Sequence, residues 1–262
     1  MVSFFVFISR CQSLTSLRKE VIYIWVQIDN KYLEYLKSMD KRIPNQDYSK
    51  GHFKPFFVAF GTGGFKYITQ VSSPKERHET LTEKSDFIKL YDKDDKSLLT
   101  GVVNLNFMFP VFEKYIIRCN DEMIMDSYKP KPKRVREYNL EHINKYRESI
   151  FEKNVGDKAV SLYNLKHRHP NDWIAGNCLD WKLMEGKCLE YFLNDELIDK
   201  EGAGGNRIHV SRDNNRFVIS HGPAKMSVGY HEVKDIQTLC DIIKMDLMDI
   251  NNNIDFDLEF GE

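Results

Sequence analysis

The sequence predicts an α+β fold, and three observations carry that expectation. Short β-branched and aromatic runs stand side by side before Pro110, divided by hairpin-type turns; longer helical patterns follow it; and a further strand pair and one helix close the chain. Strands adjacent in sequence pair antiparallel, and helices segregated from them place the chain among α+β rather than alternating α/β folds.

Taken in order, "VIYIWVQI" (residues 21–28) is a buried-strand run, and "DNKYLEYLKSMD" after it is a helix with Asp29 as cap and Tyr32, Leu33, Leu36 and Met39 on one face. A polar loop around Pro44 and Asn45 leads to "KPFFVAF" and "FKYITQV", whose intervening "GTGG" reads as a hairpin turn. "DFIKLYD" and "LLTGVVNLNFMFPV" form a second strand pair across "KDDKS". Helical patterns are expected at about residues 139–154, 157–166 and 178–193. Beyond the flexible "EGAGGN", "RIHVSRDNNRFVIS" is a hairpin candidate, "DIQTLCDIIKMDLMDI" an amphipathic helix, and "DFDLEFGE" an acidic end.

The 262 residues, 42% hydrophobic and 29% charged, describe an ordinary soluble protein able to bury a sizeable core. Five cysteines, an odd number without a Cys-x-x-Cys pair, point to reduced thiols in the cytoplasm and away from a disulfide framework or zinc site. The apolar run at residues 2–8 lacks the length of a membrane span and the flanks of a signal peptide. The net charge of −1 hides an asymmetry. The last 69 residues hold 7 Lys and Arg against 14 Asp and Glu, and the first 193 hold 31 against 25. A basic body therefore carries an acidic extension, as expected if the body meets a polyanion. The extension would then be either an intramolecular mimic of that polyanion or a segment that packs as a small satellite or mediates oligomer contacts. In the body, "YKPKPKRVR" (residues 128–136) concentrates Lys131, Lys133 and Arg134 around two prolines that oppose regular structure. It is either a solvated linker or an arm that tracks a nucleic-acid backbone.

The stretch "QVSSPKE" supports two readings. Ser73 as N-cap, Pro74 at the first helical position and Glu76 three residues after the serine compose a capping box. The same turn would gather two hydroxyls, backbone N–H groups and the Lys75 ammonium at one point, which suits a phosphate. Around it lie Arg77 and His78, and before the hairpin lie Tyr48, His52 and Lys54. The sequence has no P-loop, dinucleotide fingerprint or Gly-x-Ser-x-Gly elbow, and "HRHP" offers only His167 and His169 as metal ligands. Neither metal nor cofactor is expected. RNA, however, brings its own nucleophile, the 2′-OH, so its cleavage needs only orientation, proton transfer and stabilisation of charge on phosphorus-bound oxygens.

The succession of "KYLEYLK", Pro44-Asn45, a Lys ahead of the hairpin, "SSPK", "NLNFMFPV" and "CLDWKLMEGKCLEYF" resembles the ToxN/AbiQ family of type III toxin–antitoxin endoribonucleases. The resemblance covers residues 21–193, leaving an N-terminal extension (1–20) and an acidic C-terminal extension (194–262). It implies a strongly twisted antiparallel sheet with flanking helices, akin to Kid/MazF toxins. It further implies metal-independent cleavage of adenine-rich RNA to 2′,3′-cyclic phosphate and 5′-hydroxyl ends. The implied partner is an RNA antitoxin, a repeated pseudoknot that the toxin processes and that inhibits it in a closed protein–RNA assembly, with a role in abortive phage defence. The family motif falls on Ser72, Ser73, Pro74 and Lys75, and its pre-hairpin lysine on Lys54. Its tyrosine falls on Tyr48, more widely separated from Lys54 than in the family, which leaves His52 as the alternative. Ser72, Ser73, Lys75 and Lys54 are therefore the catalytic candidates. Tyr48, His52, Arg77, His78, Lys131, Lys133 and Arg134 are the substrate-binding candidates. The opposing reading is a non-catalytic module that binds structured RNA.

Overall fold

The computed structural model describes residues 25–45, 54, 56–198 and 207–245. The positions of Tyr48 and His52 lie outside these residues, as do those of the two terminal segments. Strand β1 (Trp25–Ile28) leads into helix α1 (Asn30–Met39), whose cap is Asp29: its Oδ1 accepts the Tyr32 backbone N–H at 2.9 Å. Tyr32, Leu33 and Leu36 are buried as the pattern requires, whereas Met39, in the last turn, is exposed.

The hairpin β2 (Phe56–Thr62) and β3 (Phe65–Ser72) turns on Gly63 and Gly64, both with positive φ. Two left-handed residues make the tight turn whose twist matches flanking strands, and glycine adopts it without a Cβ clash. Strands β4 (Phe87–Tyr91), β5 (Leu99–Asn104), β6 (Phe109–Val111) and β7 (Ile116–Arg118) complete a seven-stranded sheet. Its order is β4-β5-β3-β2-β1-β7, with β6 paired to β3, and β1–β2, β1–β7, β3–β5 and β4–β5 run antiparallel.

Helices α2 (Glu76–Thr80), α3 (Asp121–Ser127), α4 (Lys133–Glu152), α5 (Val155–Arg168) and α6 (Trp173–Asn177) follow. The basic stretch is corrected here, because α4 begins at Lys133 inside it, several residues before the expected start. Pro132 sits at the N-cap, where its missing N–H is not needed, and Pro130 lies in the preceding turn; both punctuate the helix start without preventing it. Helix α5 is held by aromatic contacts: Tyr163 meets the rings of Phe60 and Tyr67 edge-on at 5.4 and 5.1 Å, while Phe60 and Tyr67 stack on each other across the hairpin. Such pairs contribute about 0.5–1.5 kcal/mol each beyond burial.

The chain divides into two compact units. The first holds most of the sheet and α1 to α6. The second comprises residues 61–65 and 110–114 and everything from Asp180 onward. Its helix α7 (Trp181–Leu197) is capped by Asp180 and faces a three-stranded sheet, β8 (Ile208–Asp213), β9 (Arg216–His221) and β10 (Ala224–Gly229), followed by α8 (Ile236–Ile243). Glu185 of α7 is fully buried and pairs with the buried Arg212 of β8. The Tyr230 hydroxyl donates to Glu185 Oε1 at 3.0 Å, and the Arg212 guanidinium lies 4.3 Å from the Tyr230 ring centroid. Asn194 acts as a surrogate strand, its amide accepting the Ile208 N–H at 3.1 Å and donating to the Ile208 carbonyl at 2.7 Å. The described part of the acidic extension is thus a folded element that shares a buried polar centre with Glu185 of α7.

Among the described residues, no helix is long and apolar enough to cross a membrane.

Candidate active site

Ser72 is the last residue of β3, and its backbone pairs with Val102 of β5, so a strand flanked on both sides holds the entry to the SSPK turn. Ser73 and Pro74 leave the sheet, and Lys75 starts the next helix. Ser72, Ser73 and Lys75 are all exposed. Counting outward from the two-residue turn sets Phe56, the first residue of β2, opposite Val71; Lys54, two residues before β2, is exposed. The end of β3 therefore presents two hydroxyls and Lys75 in one exposed turn.

The capping box expected from the sequence is not formed as expected. The N-cap of α2 is Lys75, two residues beyond Ser73. The reciprocal contact comes from His78, whose backbone N–H donates to the Lys75 carbonyl at 2.7 Å and whose Nδ1 accepts the Lys75 backbone N–H at 3.1 Å. The imidazole stands in for the glutamate of the usual motif, because its unprotonated nitrogen is an acceptor at the third helical position. Glu76 consequently opens the helix and remains exposed.

This contact fixes the histidine's proton on Nε2. The Arg77 Nε–H group, 3.5 Å from that nitrogen, faces another donor and makes no hydrogen bond there. His78 is 7% exposed. Burial, and then the charges of Arg77, Lys75 and Lys89, hold its pKa below the ordinary histidine value. It is placed to position Lys75, with little surface left for substrate.

Lys89, a cation inside the apolar strand β4, is a residue that sequence reasoning missed. It is 7% exposed and donates to the Glu79 carbonyl at 2.9 Å, securing the end of α2 and adding fixed positive charge beneath the turn. The signal was a lone lysine between Ile88 and Leu90, all three buried. Two motif segments brace the same region. The Asn45 carbonyl accepts from the Gln70 side chain at 3.3 Å, which ties Pro44-Asn45 to the end of β3. In "NLNF", Asn104 caps a short 3-10 turn, and Asn106 donates to the buried Asp86 at 2.9 Å while its carbonyl accepts the Leu179 N–H at 2.9 Å.

The other candidates are placed elsewhere in the first unit. Lys131 lies 5.5 Å from the Tyr128 ring centroid, Lys133 faces Glu137 at 3.6 Å, and Arg134 is exposed in the first turn of α4. His167 donates from Nδ1 to the Tyr163 carbonyl at 2.9 Å, a contact internal to α5, whereas His169 lies beyond the helix end. Among the described residues, no three His, Cys, Asp or Glu side chains are grouped to hold a metal ion. The buried Cys119 and Cys178 thiols are pushed up to about 11 and about 12 by burial, which removes them as nucleophiles.

The profile of the family described as toxin ToxN of type III toxin–antitoxin systems matches residues 24–188, more than half of the chain. This chain belongs to the ToxN toxin family. Endoribonuclease ToxN of Bacillus thuringiensis subsp. kurstaki is 26% identical over 187 residues, covering 67% of this chain and 88% of that protein. Endoribonuclease ToxN of Pectobacterium atrosepticum is 35% identical over 89 residues, covering 33% of this chain and 52%, about half, of that protein's length. Two solved structures share the fold. A type III toxin structure, from work on toxin inhibition by a non-coding RNA pseudoknot, superposes with TM-score 0.52 at 22% identity, covering 64% of this chain and 97% of that one. AbiQ, a lactococcal anti-phage endoribonuclease, does so with TM-score 0.51 at 13% identity, covering 64% and 96%.

Proposed function

We propose that this ToxN family member is an endoribonuclease toxin that cuts RNA by transesterification without a metal ion. The observation that carries the reading is the exposure of Ser72, Ser73 and Lys75 at the end of a central strand, with both hydroxyls released from helix capping. In the proposed reaction the RNA 2′-OH gives up its proton to a base or water as its oxygen attacks the adjacent phosphorus, the bond to the 5′ oxygen breaks, and the departing oxygen takes up a proton, so that no net proton is consumed. A 2′,3′-cyclic phosphate and a 5′-hydroxyl end remain. Ser72 and Ser73 bind the scissile phosphate; Lys75 stabilises the charge that builds on its non-bridging oxygens; Lys54 assists by charge or by proton transfer. Donors fixed before the reaction avoid reorganisation in the transition state, and removing one such donor costs about 2.7–4 kcal/mol.

The similarity to endoribonucleases of type III systems, one from work on inhibition by an RNA pseudoknot and one anti-phage, supports a cognate RNA antitoxin as partner and a role in abortive phage defence; the pseudoknot held in a closed assembly is part of the proposal. Adenine-rich sites are the proposed targets. The test is incubation of end-labelled adenine-rich RNA with the purified protein, followed by analysis of the product ends. Products with cyclic phosphate and 5′-hydroxyl ends support the assignment. Tight binding of structured RNA without cleavage would replace it with a non-catalytic RNA-binding module.

A further inference from the structure

Trp173, the first residue of α6, is 66% exposed, whereas the other two tryptophans, Trp25 and Trp181, are buried. A single exposed apolar side chain is ordinary. Trp173 differs in what surrounds it. The Lys84 ammonium lies 4.4 Å from its ring centroid, and the residues just before it, Arg168 to Asp172, line an open hollow of about 440 Å³. The platform is held in place: Asp172 accepts the Ile174 and Ala175 backbone N–H groups at 2.9 and 3.3 Å, and Asn177 donates to the Trp173 carbonyl at 3.0 Å. Asp172 thus directs its charge into the backbone, while Arg168 stands exposed beside the hollow.

Lys84 also connects this platform to the SSPK turn. It belongs to the loop that begins where α2 ends, and its neighbour Glu83 anchors that loop to Lys153 and Lys158 at 3.0 and 3.2 Å. An exposed, braced indole with Lys84 over one face, and Arg168 exposed five residues before it, offers what one nucleotide of single-stranded RNA requires, a flat π surface for the base and positive charge for its phosphate. The hollow falls within the size range of small-molecule sites.

We propose that Trp173 is a base-stacking subsite for the RNA strand that passes through the SSPK turn. One nucleobase lies on the ring face opposite Lys84, and Arg168 meets a neighbouring phosphate. The subsite rests on the RNA-cleavage reading above and extends it, since it would bias where the strand is held relative to the scissile bond.

The buried positions of Trp25 and Trp181 make tryptophan emission a direct probe. The full-length protein is titrated with an adenine-rich oligonucleotide blocked by 2′-O-methylation, and with an abasic strand of equal length and charge. The expected result is quenching by the first and little by the second. In Trp173→Ala the quenching is lost, affinity falls about 5- to 100-fold, and KM for unblocked RNA rises while kcat holds. Trp173→Phe, which keeps an aromatic face, recovers most of the affinity. RNA cleaved normally by Trp173→Ala, or equal quenching by the abasic strand, overturns the subsite and leaves the nuclease intact. If the wild-type protein neither binds nor cuts RNA, the nuclease reading fails and takes the subsite with it.

Discussion

His78 Nδ1 accepts the Lys75 backbone N–H at 3.1 Å, so the residue proposed to stabilise phosphate charge is held by an imidazole that must stay neutral to do so. Burial, with the charges of Arg77, Lys75 and Lys89, lowers the histidine's pKa in the folded state. The stability this contact adds is fully present above the unfolded histidine's value of about 6.5 and is lost as pH falls through the lowered folded value. Denaturant midpoints measured at pH 7 and pH 5 should fall more in the wild type than in His78→Asn, whose amide oxygen keeps an acceptor and does not titrate. Equal falls would detach His78 from the cap.

Ser73→Ala separates the two readings of the SSPK turn. A serine acting as N-cap would cost about 1 kcal/mol on removal. Since Lys75 holds that position, the thermal midpoint of Ser73→Ala should match the wild type while cleavage falls. A clear loss of stability with unchanged cleavage would restore the capping role.

Within the second unit, Glu185 and Arg212 are buried together with the Tyr230 hydroxyl on the carboxylate. Removing one partner of a buried ion pair leaves an uncompensated charge and costs about 3–5 kcal/mol. Arg212→Ala should therefore lower the unfolding midpoint sharply, and the double variant Glu185→Leu with Arg212→Met should recover part of the loss. The same logic governs truncation after Leu193, which strips Arg212 and Tyr230 from Glu185. Calorimetry of the truncated protein should show a weakened or absent transition, and an undiminished one would contradict a structural role for this centre.

Legibility from sequence follows the range of the interactions involved. The β2–β3 hairpin can be read from Gly63 and Gly64, and α1 from Asp29, because a turn and a cap are decided within a few residues. The start of α2 cannot be read the same way. "SSPKE" satisfies a capping box on paper, but Ser72 is held in the sheet by Val102, and the chain starts its helix only after clearing that strand. The histidine that completes the cap is not the usual residue for the position. For α4, prolines suggest an irregular arm, while the structure uses Pro132 as the residue from which the helix starts. Lys89 and the Glu185–Arg212 pair depend on tertiary partners that local pattern does not reveal. The motif residues around Asn45 and Asn106 were legible as motifs, yet their work as braces for the end of β3 and for Leu179 emerges only from long-range hydrogen bonds.

The most direct test is single-turnover cleavage of labelled adenine-rich RNA by wild type and Lys75→Ala in excess EDTA. The Lys75 ammonium disfavours a divalent ion beside the two hydroxyls, and the 2′-OH route needs none. Lys75 is exposed, so its variant should keep the wild-type fold by circular dichroism. The account predicts that wild-type cleavage persists under chelation and that folded Lys75→Ala is slower by roughly a hundredfold to a thousandfold. Wild-type activity that vanishes with EDTA and returns with magnesium, or a folded Lys75→Ala protein that cuts at the wild-type rate, would contradict it.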